Sequence, residues 1–115
     1  MTGRGRREEP PRWALWLLAA VPLLFAAISM PLMLGWVAPN SYYGVRTTAT
    51  FASDLAWYRA NHASGVAGVA GGLLGFAVNL AVLRAPITPQ RKHALCLGVL
   101  VTVSAAIAAA GLLAG

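Results

Sequence analysis

The residues with catalytic chemistry within reach are few and scattered. The chain has two histidines, His62 and His93, one cysteine, Cys96, and three carboxylates, Glu8, Glu9 and Asp54. A zinc-type centre would need histidines or cysteines at short, repeated spacing, and neither His-x-x-x-His nor Cys-x-x-Cys occurs. Ser53 and Asp54 are adjacent, so on a helix they point apart and cannot act as nucleophile and base. No paired carboxylate outside the flexible-looking start offers general acid–base work. This inventory predicts no catalytic residue, no metal and no cofactor, and it argues against an enzyme. A lone cysteine forms no intrachain disulfide, and Cys96 lies in an apolar run, where it reads as a small buried hydrophobe.

Recognition chemistry is better supplied. Residues 38–61 are the one long polar stretch between apolar runs. Within and after it, Ser53, Trp57, Asn61 and Gly65 recur every four residues, which places them in one drifting helical stripe. Thr50 stands at its start and Arg46 just before it. A guanidinium there can bind an anionic or peptide partner; it can equally satisfy helix carbonyls, pair with Asp54 or snorkel to headgroups. Trp57 reads as a ligand-stacking ring or as an interface anchor in the headgroup zone. Asn61 and the deeper Asn79 read as interhelical hydrogen bonders, at roughly 1 kcal/mol each. A transport path would need more polar groups than Ser29, Asn79, Thr102 and Ser104.

The elements that position these residues follow from composition. Of 115 residues, 58% are hydrophobic and 10% charged, against about 25% charged in a typical soluble domain. Mean hydropathy is +0.66. The fitting solvent is lipid, and three apolar runs are long enough to cross it. We therefore expect an all-α polytopic membrane protein: a disordered basic start over 1–12, then a single transmembrane domain over 13–113. Its three spans cover about 13–37, 62–83 and 93–113, and its outer segment is partly helical and continuous with the second span.

The first run carries no charge, has Trp13, Trp16 and Trp36 near its ends, and contains Pro22 and Pro31, each of which removes a backbone donor and kinks a helix. A cleaved signal peptide is the rival reading; the run's length and the two spans after it favour an uncleaved first span. In the outer segment Pro39-Asn40 and Gly44 are turn formers. Thr50 is the expected N-cap, with Ser53 and Asp54 in the first turn behind it and a helix from about Phe51. The second span carries two rows of small residues, Gly68 with Gly72 and Gly71 with Gly75, extended by Ser64 and Ala67. Such rows let helix backbones approach closely, either within the chain or against another protein. Residues 84–92 form a short basic turn with two prolines.

The net charge is +6 and the isoelectric point about 10.8. The cations are not gathered as a nucleic-acid reader would gather them, so nucleic acid is not an expected partner. Arg4, Arg6, Arg7, Arg12, Arg84, Arg91 and Lys92 fall on one side of the three spans, Arg46 and Arg59 on the other. The positive-inside rule then places the N-terminus in the cytoplasm of a bacterial plasma membrane and the C-terminus outside. His62 and His93 fall on opposite faces.

The outer segment also resembles a known family. Pro39-Asn40, Gly44, Arg46-Thr47, Thr50, Ser53, Trp57, Asn61 and Gly65, standing in PNSYYGVRTTATFASDLAWYRANHASG, look like the signature of the SdpI-like membrane proteins. These are named for an immunity protein that protects spore-forming bacteria from their own sporulation-delaying toxin. The resemblance extends over about 13–113. It implies an integral membrane protein, often of three helices per unit, linked in its best-known member to toxin immunity and to sequestering a transcriptional repressor. That member has further membrane helices before the shared unit, so repressor sequestration is not expected of this chain.

Two functions are then expected to compete. In the first, an immunity or partner-binding protein meets a toxin, antimicrobial peptide or membrane partner through Asn40, Gly44, Arg46, Thr47, Thr50, Ser53, Trp57 and Asn61. In the second, a structural subunit of a transporter or other assembly, or a homo-oligomer, packs through Gly65, Gly68, Gly71, Gly72 and Gly75.

Overall fold

The computed structural model describes residues 9–114. Most of the start expected to be disordered, and the final residue, lie outside the described residues. Four helices follow in order: α1 (Arg12–Met33), α2 (Thr48–Phe51), α3 (Asp54–Arg84) and α4 (Pro89–Ala114). Three of them are long and apolar enough to cross a membrane. In the most apolar stretch of each, only 33, 22 and 17% of residues are buried inside the protein. Leucines such as Leu17, Leu74 and Leu113 face outward instead. That surface suits hydrocarbon, where every backbone polar group must be satisfied within the chain and apolar side chains face the lipid.

α1 ends short of the apolar run that contains it. Gly35 adopts φ +74°, and its N–H donates to the Leu32 carbonyl at 3.3 Å while Trp36 N–H donates to the Pro31 carbonyl at 2.9 Å. This is the Schellman pattern, which a left-handed glycine permits. The apolar stretch from Leu34 to Val37 therefore leaves the helix.

The outer segment does not start its long helix where Thr50 suggested. Thr47 and Thr50 form a reciprocal capping box that closes the single turn α2. The chain then extends at Ser53, whose hydroxyl accepts the Ala56 N–H at 3.0 Å, and α3 begins at Asp54. Thr50 is thus used up by the short turn, and Ser53 is the N-cap that remains. Asp54 in the first turn and Arg84 in the last both suit the dipole of α3. At about 1.5 Å per residue, its 31 residues outrun a hydrocarbon layer of about 30 Å. The surplus lies at its polar start. At the other end, Pro89 opens α4 with its φ already helical, and Thr88 caps it by accepting the Arg91 N–H at 3.2 Å. Half of the basic turn is therefore the first turn of α4.

α3 is the central helix, and its small residues explain why. A Cβ on Gly65 would fall on the Met33 backbone, one on Gly68 on the Ser29 hydroxyl, and one on Gly72 on the Pro22 carbonyl. This row lets α1 lie backbone to backbone on α3. On the adjoining face, a Cβ on Gly75 would stand 3.0 Å from Val99 and one on Gly71 3.4 Å from Val103, both in α4. The two glycine rows thus seat the chain's own neighbours, one each.

Candidate functional site

The polar residues singled out by their spacing do gather at one end of the bundle, where the 34–47 loop, α2 and the start of α3 meet. Their side chains mostly turn inward. Asn40 folds the loop on itself: its Oδ1 accepts the N–H groups of Tyr42 and Tyr43 at 2.8 and 2.7 Å, and its Nδ2 donates to the carbonyl of Ala38 at 2.8 Å. Such an Asx turn needs a short side chain with both an acceptor and a donor. The Arg46 guanidinium, exposed, donates back to the Ser41 carbonyl and closes the same loop.

Asn61 and Trp57, on α3, pin that loop down. Asn61 Oδ1 accepts the Val45 N–H at 2.5 Å, and its Nδ2 donates to the Trp57 carbonyl at 2.9 Å. The Trp57 indole Nε1 donates to the Val37 carbonyl at 2.8 Å. Trp57 is 0% exposed, so its ring is packed inside the cap and faces protein on all sides. Phe51 of α2 stacks against it, with ring centroids 5.5 Å apart. Gly44 has φ +108°, and a Cβ there would lie 2.6 Å from Asn61 Oδ1. Loop backbone can approach the amide only at a residue without a side chain.

Two residues that spacing did not mark complete the cap. His62 Nδ1 lies 2.7 Å from the Met33 carbonyl; a carbonyl only accepts, so the proton sits on Nδ1. The Tyr43 hydroxyl donates to the Ile28 carbonyl, and burial pushes its pKa above the ordinary 10.0. Ile28 lies three residues before Pro31, beside the helix bond that the proline cannot make. The same device recurs deeper: Asn79, fully buried, donates through Nδ2 to the Ala19 carbonyl at 3.1 Å, three residues before Pro22. Both prolines of α1 thus have an outside donor to the carbonyl three residues before them. Only the prolines themselves signalled it.

The lipid-facing hydroxyls carry no path. Thr102 and Ser104 each donate to the carbonyl four residues back, at 2.8 Å, which satisfies them on their own helix. Among the described residues, no group of histidine, cysteine or carboxylate side chains is placed to hold a metal.

The family model described as the SdpI/YfhL protein family matches residues 36–114, from the start of the cap loop to the end of α4. The chain belongs to the SdpI/YfhL family. It is a multi-pass membrane protein of that family, which is not known for enzymes. The SdpI/YfhL match contains every residue of the cap lock except its α1 acceptors, and it leaves α1 outside. No curated protein and no solved structure matches the chain.

Proposed function

We propose that this SdpI/YfhL protein binds a hydrophobic toxin peptide or a membrane partner at the cap, and that the cap lies on the outer face of a bacterial plasma membrane. One observation carries the reading: the locked cap displays an aromatic and cationic rim. Trp36 is 73% exposed, Tyr42 90% and Leu55 66%, and Arg46 and Arg59 are exposed beside them in the sequence. Large side chains held out from a rigid base are the groups that dominate binding surfaces, because little freedom is lost on contact. On this reading Asn40, Gly44, Thr47, Thr50, Ser53, Trp57 and Asn61 shape the surface from beneath, while Arg46 and its exposed neighbours touch the partner. The orientation is supported by charge: Arg12, Arg84 and Lys92 collect at the opposite end of the bundle, which favours that end in the cytoplasm.

The test is expression in a bacterium challenged with membrane-active peptides. Protection is expected from the native chain. Tyr42→Ala or Arg59→Ala should remove it at an unchanged membrane level. Sensitivity that does not change with the native chain in the membrane would overturn the proposal.

A second reading, a subunit of a larger membrane assembly, has one observation in its favour. A groove of about 510 Å³ runs along α3 and α4, floored by Gly71, Gly75 and Gly98, and a Cβ on Gly98 would meet nothing. Gly98→Leu should then abolish a crosslinked complex while leaving the monomer folded; a monomer alone from mild detergent would count against it.

A further inference from the structure

The end of the bundle opposite the cap contains a cleft of about 500 Å³ between the start of α1, the end of α3 and the start of α4. Among the described residues, three cations line it, Arg12, Arg84 and Lys92, against one carboxylate, Glu9. Arg12 stands in the first turn of α1 and Lys92 in the first turn of α4, and neither first turn has an acidic residue. The positive ends of two helix dipoles therefore add to the side-chain charges, while Glu9 and the negative end of α3, which Arg84 offsets, oppose them. Lys92 spends one donor on the Leu83 carbonyl, at 2.7 Å, which holds its ammonium at the cleft with two donors left.

The walls are not those of a site for a soluble anion. Leu15 and Leu83 line the cleft together with Trp16, whose ring is half-exposed on the outer surface of α1. That surface continues directly into the lipid-facing helices. A ligand filling this space needs a negative head at the helix ends and an apolar body running down the bundle.

We propose that this cleft holds the phosphate of an acidic glycerophospholipid, with its acyl chains against α1 and α3. Basic pockets between membrane helices at the cytoplasmic level recognise such headgroups by charge. Arg84 and Arg12 supply forked donors for the phosphate oxygens, and Lys92 a point charge. The bound lipid would tie three helix ends together at the end of the molecule opposite the cap. This proposal is independent of what the cap binds.

The experiment measures the thermal unfolding midpoint of the full chain in a zwitterionic detergent, titrated with short-chain phosphatidylglycerol, the matching phosphatidylcholine, or inorganic phosphate. Phosphatidylglycerol should raise the midpoint at concentrations where phosphatidylcholine does not. Arg12→Gln and Arg84→Gln should each weaken that response about fivefold, the factor for about one unit of surface charge attraction, and Arg59→Gln at the far end should leave it intact. Arg84→Lys, which keeps the charge, should retain most of it. If a glutamine variant fails to fold, the comparison of the two lipids on the native chain still decides. Equal responses to both lipids, a response that survives both substitutions, or a full response to inorganic phosphate would each overturn the proposal.

Discussion

Asn61 pairs with Val45 as one backbone amide pairs with another: its Oδ1 accepts the Val45 N–H at 2.5 Å, and its Nδ2 reaches the Val45 carbonyl at 3.4 Å. Asn61 is 2% exposed, so its own amide is shielded from water. A side chain on α3 thereby does for the loop what a neighbouring strand would do.

Asn61→Ala should lower stability by about 1–3 kcal/mol, the cost of leaving buried loop donors and acceptors unmet. Unfolding in detergent would measure it. Limited proteolysis should show earlier cutting in the 34–47 loop while the three long helices stay protected. Uniform loss of protection across the chain would contradict the assignment of Asn61 to the cap alone.

Gly44 and Gly35 both have positive φ, but only Gly44 faces an obstacle. Gly35→Ala should cost about 1 kcal/mol, the backbone term alone. Gly44→Ala should cost distinctly more, because the new methyl must also displace Asn61 Oδ1. In the Asn61→Ala background that excess should shrink, since the obstacle is gone. A double-mutant cycle on unfolding free energies reads the coupling directly.

The glycine rows separate in the same way. Gly72→Leu drives a side chain into the Pro22 carbonyl and the Ala26 backbone, which cannot give way without moving α1. Overpacking of this kind typically costs about 1–3 kcal/mol and sometimes more. Gly98→Leu adds a side chain to open space and should leave the unfolding midpoint of the monomer nearly unchanged. Cysteine crosslinking between α1 and α3 should fall for Gly72→Leu and persist for Gly98→Leu.

Tyr43 introduces a pH dependence at the alkaline end. Its folded pKa is raised above 10.0 by burial, so the folded state keeps the proton where the unfolded chain has lost it. The stability it contributes is complete below pH 10 and falls as pH rises through the folded pKa. The phenolate also loses the hydrogen that Tyr43 gives to Ile28. Tyr43→Phe should flatten the stability profile above pH 10, at a constant cost at neutral pH. An identical slope in both proteins would assign the effect elsewhere.

Much of the architecture was legible because it rests on coarse properties. Three uncharged or nearly uncharged runs require three helices in lipid, and their order requires nothing further. Of the stripe Ser53, Trp57, Asn61, Gly65, the last three do lie on one buried face of α3, while Ser53 precedes the helix as its exposed N-cap. What that face meets was not legible. Its partners are the carbonyl of Val37 and the backbone of Val45, and a backbone group leaves no mark in the sequence. Trp57 therefore read as an interface or ligand ring although it is buried. Thr50 and Ser53 were indistinguishable as caps from composition, since both are hydroxyl residues just ahead of the helical run; the T-x-x-T spacing from Thr47 was the signal that would have separated them. Gly35 was hidden inside an apolar run, where its left-handed turn ends α1 early. The alternative uses of the glycine rows stayed open for a similar reason, because spacing records how closely a helix can be approached and not by which neighbour.

The donors that meet α1 beside its two prolines also set an order of assembly. Asn79 leaves the ribosome 60 residues after Ala19, and Tyr43 leaves it 15 residues after Ile28. The hydrogen bond that Tyr43 adds at Ile28 can therefore form soon after α1 is inserted, and the one that Asn79 adds at Ala19 only when α3 is nearly complete. Until then the early half of α1 lacks the polar contact that ties it to α3.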